Sequence, residues 1–161
     1  HNTMIPGKMF QMILDHIPQR IFWKDTEFKY LGCNKMFAQD SGLKDPSEIV
    51  GMSDFDLSWK ESATLYRKDD KHVLKSKNPK LRYRESITVP GGRVMWIETS
   101  KLPMLNTEGE AIGVLGTYED VTERTNAEQK IQTQSEEIQE KNLVLKSSKY
   151  CNVLIIKQSI K

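Results

Sequence analysis

Two runs rich in strand-forming residues, 81–90 and 93–105, flank the dipeptide Gly91-Gly92. Two adjacent glycines are a strong hairpin signal, because a tight two-residue turn needs positive φ at both central positions. Pairing the runs across that turn sets Val89 opposite Val94, Ile87 opposite Trp96, Tyr83 opposite Ser100 and Leu81 opposite Leu102. Apolar residues meet apolar residues in this register, and a slip of one residue would undo the match. It also sets Glu85 opposite Glu98 on one face, a like-charge pair that calls for a Lys or Arg beside it. A third run, Ala111–Asp120, follows a hairpin-length connection over 106–110 that contains Gly109, so three strands form a meander.

Upstream, residues 8–16 (KMFQMILDH) place Phe10, Ile13, Leu14 and Ile17 at helical spacing, and Pro18 ends the run. Two short strand-like runs follow, RIFWK over Arg20–Lys24 and FKYLGC over 28–33, joined by Asp25-Thr26-Glu27. Asn34 is placed to cap a helix that starts at Lys35 and stops at Gly42. Residues 45–58 are turn-rich. Ser58 is then placed to cap a longer helix over 59–76, with Trp59, Ala63, Tyr66, Asp70 and Val73 on one stripe and Leu74 beside it. Strand, strand, helices and a three-strand meander make an α+β order.

Residues 122–148 hold no Gly or Pro and are rich in Glu, Gln and Lys. Ile131, Ile138 and Leu145 recur every seven residues, while the alternate seam positions are Glu128, Ser135 and Asn142. A half-polar seam predicts a weak coiled coil that gains stability from a second copy of itself. The tail 149–161 is too short to form an element alone, and its role stays open between the start of a further element and non-native sequence. His1-Asn2-Thr3 before Met4 reads as the remnant of an affinity tag, so residues 1–5 are set aside as a tag remnant without order.

The 161 residues suit one domain plus an appendage. Charge is nearly balanced, with 24 basic against 22 acidic residues, which gives no electrostatic case for nucleic acid. Cys33 and Cys151 match no metal or redox spacing, which favours a reducing cytoplasmic location. No apolar run approaches the roughly 20 residues needed to span a bilayer, so this stretch is expected not to insert in a membrane, while a parent protein anchored elsewhere stays compatible.

Three segments in order, IVGMSDFD at 49–56, PGGRVMW at 90–96 and GVLGTYEDVTER at 113–124, resemble PAS domains of prokaryotic sensor kinases and cyclases. The last is similar to the family's strand-to-linker motif, Asp-[Ile/Val]-Thr-Glu-Arg. The likeness spans roughly 6–125, with the domain proper at 6–121 and a helical linker at 122–148. It implies a five-stranded antiparallel sheet with helices on one face, an N-terminal cap helix and a long C-terminal signalling helix. It further implies a pocket for a small molecule or cofactor and a homodimer. Its state would pass through Asp120, Thr122, Ile131, Ile138 and Leu145 to an output domain of the same polypeptide.

The cofactor stays unknown at this level. Flavin photosensors of the family need Cys inside an Asn-Cys-Arg-Phe helix motif, whereas Cys33 here precedes Asn34 at a strand end, so no flavin adduct is expected and Cys33 reads as a small buried hydrophobe. Haem-binding members carry a His on the long helix. His72 falls off the apolar stripe, and the matching position lies nearer Tyr66, so haem is not expected either. Asp54 and Asp56 read as caps and turn formers before metal ligands. No Cys/His pair, Ser/His/Asp set, phosphate-cradling glycine loop, kinase phosphoacceptor box or ATP-binding glycines occur, and no catalytic residue is assigned. Trp23, Cys33, Met36, Phe37, Phe55, Tyr66, Asp70 and Trp96 remain as pocket candidates; the aromatic and sulfur residues among them each read alone as ordinary core, and together leave room for an apolar or aromatic ligand edge. Asp70, a carboxylate on an apolar stripe, must meet a cation, a backbone donor or a polar ligand group. The expected function is a non-catalytic sensory input and dimerisation module feeding a histidine kinase or diguanylate cyclase. The alternatives are a dimerisation module with a filled core and an enzyme acting in the pocket.

Overall fold

A computed structural model describes residues 6–160; the tag reading of His1-Asn2-Thr3 lies outside them. The chain forms two compact units that divide after Thr122. In the first, α1 (Pro6–His16) leads into β1 (Arg20–Lys24) and β2 (Tyr30–Cys33), then α2 (Lys35–Asp40), three short 3-10 turns and α3 (Ala63–Ser76). The strands β3 (Lys80–Thr88), β4 (Val94–Leu105) and β5 (Ala111–Asp120) complete an antiparallel five-stranded sheet in the order β2-β1-β5-β4-β3. The expected fold class and element order are those observed.

Asn34 earns its place as a cap. Its side-chain oxygen accepts from the N–H groups of Phe37 and Ile21, and its amide donates to the carbonyls of Leu14 and Gln19. One buried side chain thereby starts α2 and fastens α1 to β1, satisfying groups that the short helix would otherwise leave orphaned. Side chains alternate along β1: Phe22 and Lys24 enter the core, while Trp23 faces the other way and meets Phe10 of α1 edge-on at 6.0 Å between ring centroids.

The hairpin departs from its expected register by one residue. Thr88 pairs with Val94, Ile87 with Met95, Ser86 with Trp96 and Glu85 with Ile97. Pro90 is the reason. A two-residue turn would make Pro90 and Arg93 the closing pair, yet proline has no N–H to give Arg93. Closure moves to Val89, whose N–H donates to the Arg93 carbonyl at 2.9 Å, and Pro90, Gly91 and Gly92 form the loop, both glycines with φ near +90° and +83°. Every side chain of β4 thereby changes face relative to β3. Trp96 turns away from the core. Glu85 and Glu98 fall on opposite faces, so the like-charge pair does not exist, and Glu98 lies across from Arg84.

The long helix also starts later than its stripe suggests. Ser58 cannot cap it, because its hydroxyl donates to the Asp40 carbonyl at 3.2 Å. Trp59 is held by its indole N–H on Asp54, and a 3-10 turn over Lys60–Ser62 intervenes before α3 begins at Ala63. Trp59, Ala63, Tyr66, Asp70 and Val73 are nevertheless all buried, as the stripe requires.

The second unit belongs to α4 (Thr122–Ser159), a single helix of 38 residues. The residues after 148 continue it rather than forming a separate tail. At 1.5 Å per residue it is roughly 57 Å long, and Ile131, Ile138 and Leu145 are exposed along it. Among the described residues no helix is long and apolar enough to cross a membrane.

Candidate functional site

The face of the sheet that meets α2 and α3 encloses a cavity of about 30 Å³. A water needs about 10–15 Å³, so the space holds one or two. Its apolar side is aromatic. Phe37 of α2 stands at the centre, with ring centroids of Phe22, Trp59, Tyr30 and Tyr118 at 4.8, 5.4, 5.5 and 5.9 Å. Tyr66 closes the α3 side, its hydroxyl donating to the Ser86 carbonyl at 2.6 Å and so tying α3 to β3.

The polar side is a buried network of charges. Lys24 Nζ donates to Asp54 Oδ2 at 2.6 Å and to Asp70 Oδ2 at 2.7 Å. Lys101 Nζ stands 2.7 Å from Asp70 Oδ1 and donates to the Tyr66 carbonyl at 3.3 Å. Asp54 Oδ1 also accepts from the Tyr30 hydroxyl, in a short hydrogen bond, and from the Trp59 indole at 2.9 Å. Two ammonium groups thus answer two carboxylates, with side-chain exposure of 0–6% throughout. Such a network survives desolvation only because each charge is matched.

Burial alone would depress the Lys24 ammonium, but Asp54 and Asp70 outweigh it and hold its pKa above the ordinary value. Burial would raise Asp54, and Lys24, Tyr30 and Trp59 reverse the sign. Tyr30 is pushed well up, first by burial and then by Asp54. Glu85 on β3 is different: burial raises it, and Lys101 and a 2.9 Å hydrogen bond from Thr99 offset this only in part.

These shifts fix opposite pH limbs. Asp54, depressed when folded, stabilises the protein above its ordinary pKa of 3.8, and that contribution is lost as pH falls through its folded value. Glu85, raised when folded, contributes fully below 4.5 and loses that contribution as pH rises through its folded value. Melting temperatures of the wild type and Glu85→Gln are expected to diverge on going from pH 4.5 to neutral, with the variant the more stable at pH 7. Superimposed profiles would count against an upward shift at the half-buried Glu85.

The sequence candidates are placed unevenly. Phe37 and Tyr66 line the cavity, and Asp70 sits behind it holding both lysines. The other five do not line it. Trp23 lies on the opposite face against Phe10. Cys33 ends β2 in a separate groove of about 220 Å³ with Trp23 and Pro46, its thiol pushed up to about 12 by burial with help from Asp15 and Asp45. Met36 is half-buried on α2. Phe55 is exposed beneath Arg67, whose guanidinium carbon is 4.9 Å from its ring centroid. Trp96 faces outward because of the register change. His72 is exposed on α3. Asp56 caps its own turn through the Ser53 N–H, whereas Asp54, read as a turn former, is a buried member of the charge network.

Lys24, Lys101, Thr99 and Tyr30 carry no sequence signal as site residues, and Glu85 is marked only by its expected pairing with Glu98, not as a cavity residue. Lys24 was within reach, two residues from Phe22 on a strand; Lys101 shares alternation with Met95, Ile97 and Thr99, which the wrong register concealed. At the end of the sheet, Trp96 donates its N–H to Thr122 Oγ1 at 2.9 Å and accepts from the Val121 N–H at 2.8 Å. Asp120 Oδ1 accepts from the Thr122 N–H at 2.9 Å.

Residues 14–126 match the family model described as PAS fold. The aerobic respiration control sensor protein ArcB of Escherichia coli K12 is 26% identical over 118 residues, which cover 73% of this chain and 15% of ArcB. The chain therefore spans a small part of that relative's length. Among solved structures, VqmA of Vibrio cholera in a ligand–DNA complex superposes with a TM-score of 0.65 at 18% identity, covering 76% of this chain and 54% of VqmA. A domain of the sensory box sensor histidine kinase/response regulator from Geobacter sulfurreducens gives 0.52 at 20% identity, covering 71% and 93%.

Proposed function

This chain belongs to the PAS fold family, sensory domains of signalling proteins, and we propose that its core cavity is a ligand-sensing site whose state passes through α4 to a kinase or cyclase output. The observation that carries this reading is the convergence of aromatic rings and a buried charge network on one internal space. A domain built for stability alone gains little from buried ion pairs, which well-packed hydrophobic residues often replace without loss. The bonds of the Trp96 backbone to the Thr122 hydroxyl and to the Val121 N–H supply a route from β4, which also carries Ile97, Thr99 and Lys101 of the cavity wall. VqmA, whose structures include complexes with a ligand, and the Geobacter sensor kinase domain support a sensing role and a kinase output respectively. The domain itself is read as non-catalytic and cytoplasmic.

The small volume favours a second reading, a dimerisation module with a filled core. Native mass spectrometry and an absorption spectrum of freshly purified protein separate the two. Sensing is expected to show a small molecule released on denaturation; a bare mass in every preparation favours the second reading.

Both readings use a homodimer. Ile131, Ile138 and Leu145 are exposed along a polar helix, and helices in proteins draw most of their stability from packing an apolar face. The polar positions Glu128, Ser135 and Asn142 keep the association weak. Light scattering on residues 1–161 is expected to show a concentration-dependent dimer, and truncation after Thr122 to weaken it. Two monomers over a wide concentration range would contradict this.

A further inference from the structure

We propose that the cavity admits a small nitrogen base, such as an amine or amidine, which donates an N–H to Glu85 and lays its carbon frame on the aromatic wall, and that it turns carboxylates away. The inference rests on the cavity being the sensing site and adds the chemical class of the ligand. The lysines would suggest the reverse, a site for anions. They are already spoken for. Lys24 holds Asp54 and Asp70 at 2.6 and 2.7 Å, and Lys101 holds Asp70 at 2.7 Å, all inside the protein. An incoming carboxylate would have to displace one of these partners and strand it in a low-dielectric interior, the costliest outcome for a buried charge.

Glu85 is the group left over. The network counts two lysines against Asp54 and Asp70, so Glu85 is a third carboxylate without a cation of its own. Glu85 is half-buried: Thr99 donates to Oε1 at 2.9 Å, while the second oxygen accepts from no described protein group and is not sealed from water. Burial holds its proton affinity up even with Lys101 nearby, the mark of an under-compensated carboxylate. An N–H donor entering from the cavity can take the place of water at that oxygen. The wall beside it is suited to such a donor, since rings attract cations over their faces. Lys24 Nζ already lies 4.7 Å from the Tyr30 centroid, and Lys101 Nζ 5.9 Å from that of Tyr66.

A space of about 30 Å³ must widen to take even a four-atom ligand. The side able to yield is β3. It is the edge strand, paired within the sheet with β4 alone, and its register is broken between Lys80 and Tyr83, where Arg82 adopts a φ of 51°. Glu85 sits on that strand, next to Ser86, whose carbonyl carries the Tyr66 tie to α3.

The test uses isosteric pairs of opposite charge, acetamidine with acetate and benzamidine with benzoate, titrated at pH 7 into the full chain and followed by amide chemical shifts. The amidines are expected to bind at least tenfold more tightly than their carboxylates, with shifts at Glu85 and Thr99. Glu85→Gln keeps an acceptor for Thr99 and is expected to erase that preference without lowering the melting temperature. Thr99→Val, which removes the hydroxyl that orients Glu85, is expected to weaken amidine binding less. A carboxylate preference, or amidine binding indifferent to Glu85→Gln, would overturn the ligand class and leave the cavity as a site. No shift with any of the four probes would overturn both.

Discussion

Asp70→Asn is expected to cost about 3–5 kcal/mol of folding stability, the usual consequence of breaking a buried ion pair by removing one partner. Asp70 is fully buried and touches both lysines, so the change leaves two ammonium groups facing a single carboxylate. The melting temperature should fall by roughly 10 °C or more for a domain of this size. The neighbouring Asp69 provides a control. Its pair with Lys80, at 2.9 Å, is 24% and 42% exposed, and Asp69→Asn should change stability by less than about 1 kcal/mol. Denaturant unfolding of the two variants side by side checks the contrast. Equal effects would mean that the buried network is not what holds α3 against the sheet.

Phe37→Ala is expected to cost a similar amount, about 3–5 kcal/mol, by another mechanism. Phe37 is 1% exposed and packs on four rings from β1, β2, β5 and the segment before α3, so no single neighbour can collapse into its place. The loss combines transfer free energy with an unfilled void. The void opens onto the existing cavity, and its wall of aromatic rings admits small apolar molecules. Benzene is therefore expected to raise the melting temperature of Phe37→Ala while leaving the wild type unchanged. A variant within about 1 kcal/mol of wild type would show that the core repacks, and the cavity walls would then be softer than the ring geometry implies.

The parts of the fold that the sequence disclosed are those governed by local rules. β1 and β5 follow from short apolar alternation, α2 from an Asn cap, and the helix after Thr122 from an unbroken run free of Gly and Pro. The failures come from residues whose backbone or side chain is committed elsewhere. Pro90 lacks the N–H that a two-residue turn requires, so one missing hydrogen moved the hairpin register, carried Trp96 out of the core and separated Glu85 from Glu98. Ser58 is spent on the Asp40 carbonyl, which delayed α3 by four residues relative to the expected start at Trp59.

The site was less legible for a related reason. Aromatic residues could be named as candidates, but which face each occupies depended on the register. A single buried carboxylate, Asp70, correctly demanded a partner. The demand could not say which of the lysines would answer, because Lys24 and Lys101 are brought to it from strands 46 and 31 residues away in sequence.

Amide hydrogen exchange offers the most direct test that the cavity is an input connected to α4. The full chain is followed with and without the low-molecular-weight filtrate of a cell extract. A sensing site is expected to gain protection along β3, β4 and β5 and at Val121, whose N–H donates to the Trp96 carbonyl at the end of the sheet. Protection unchanged along the cavity strands, or gained there without any change at Val121, would contradict it.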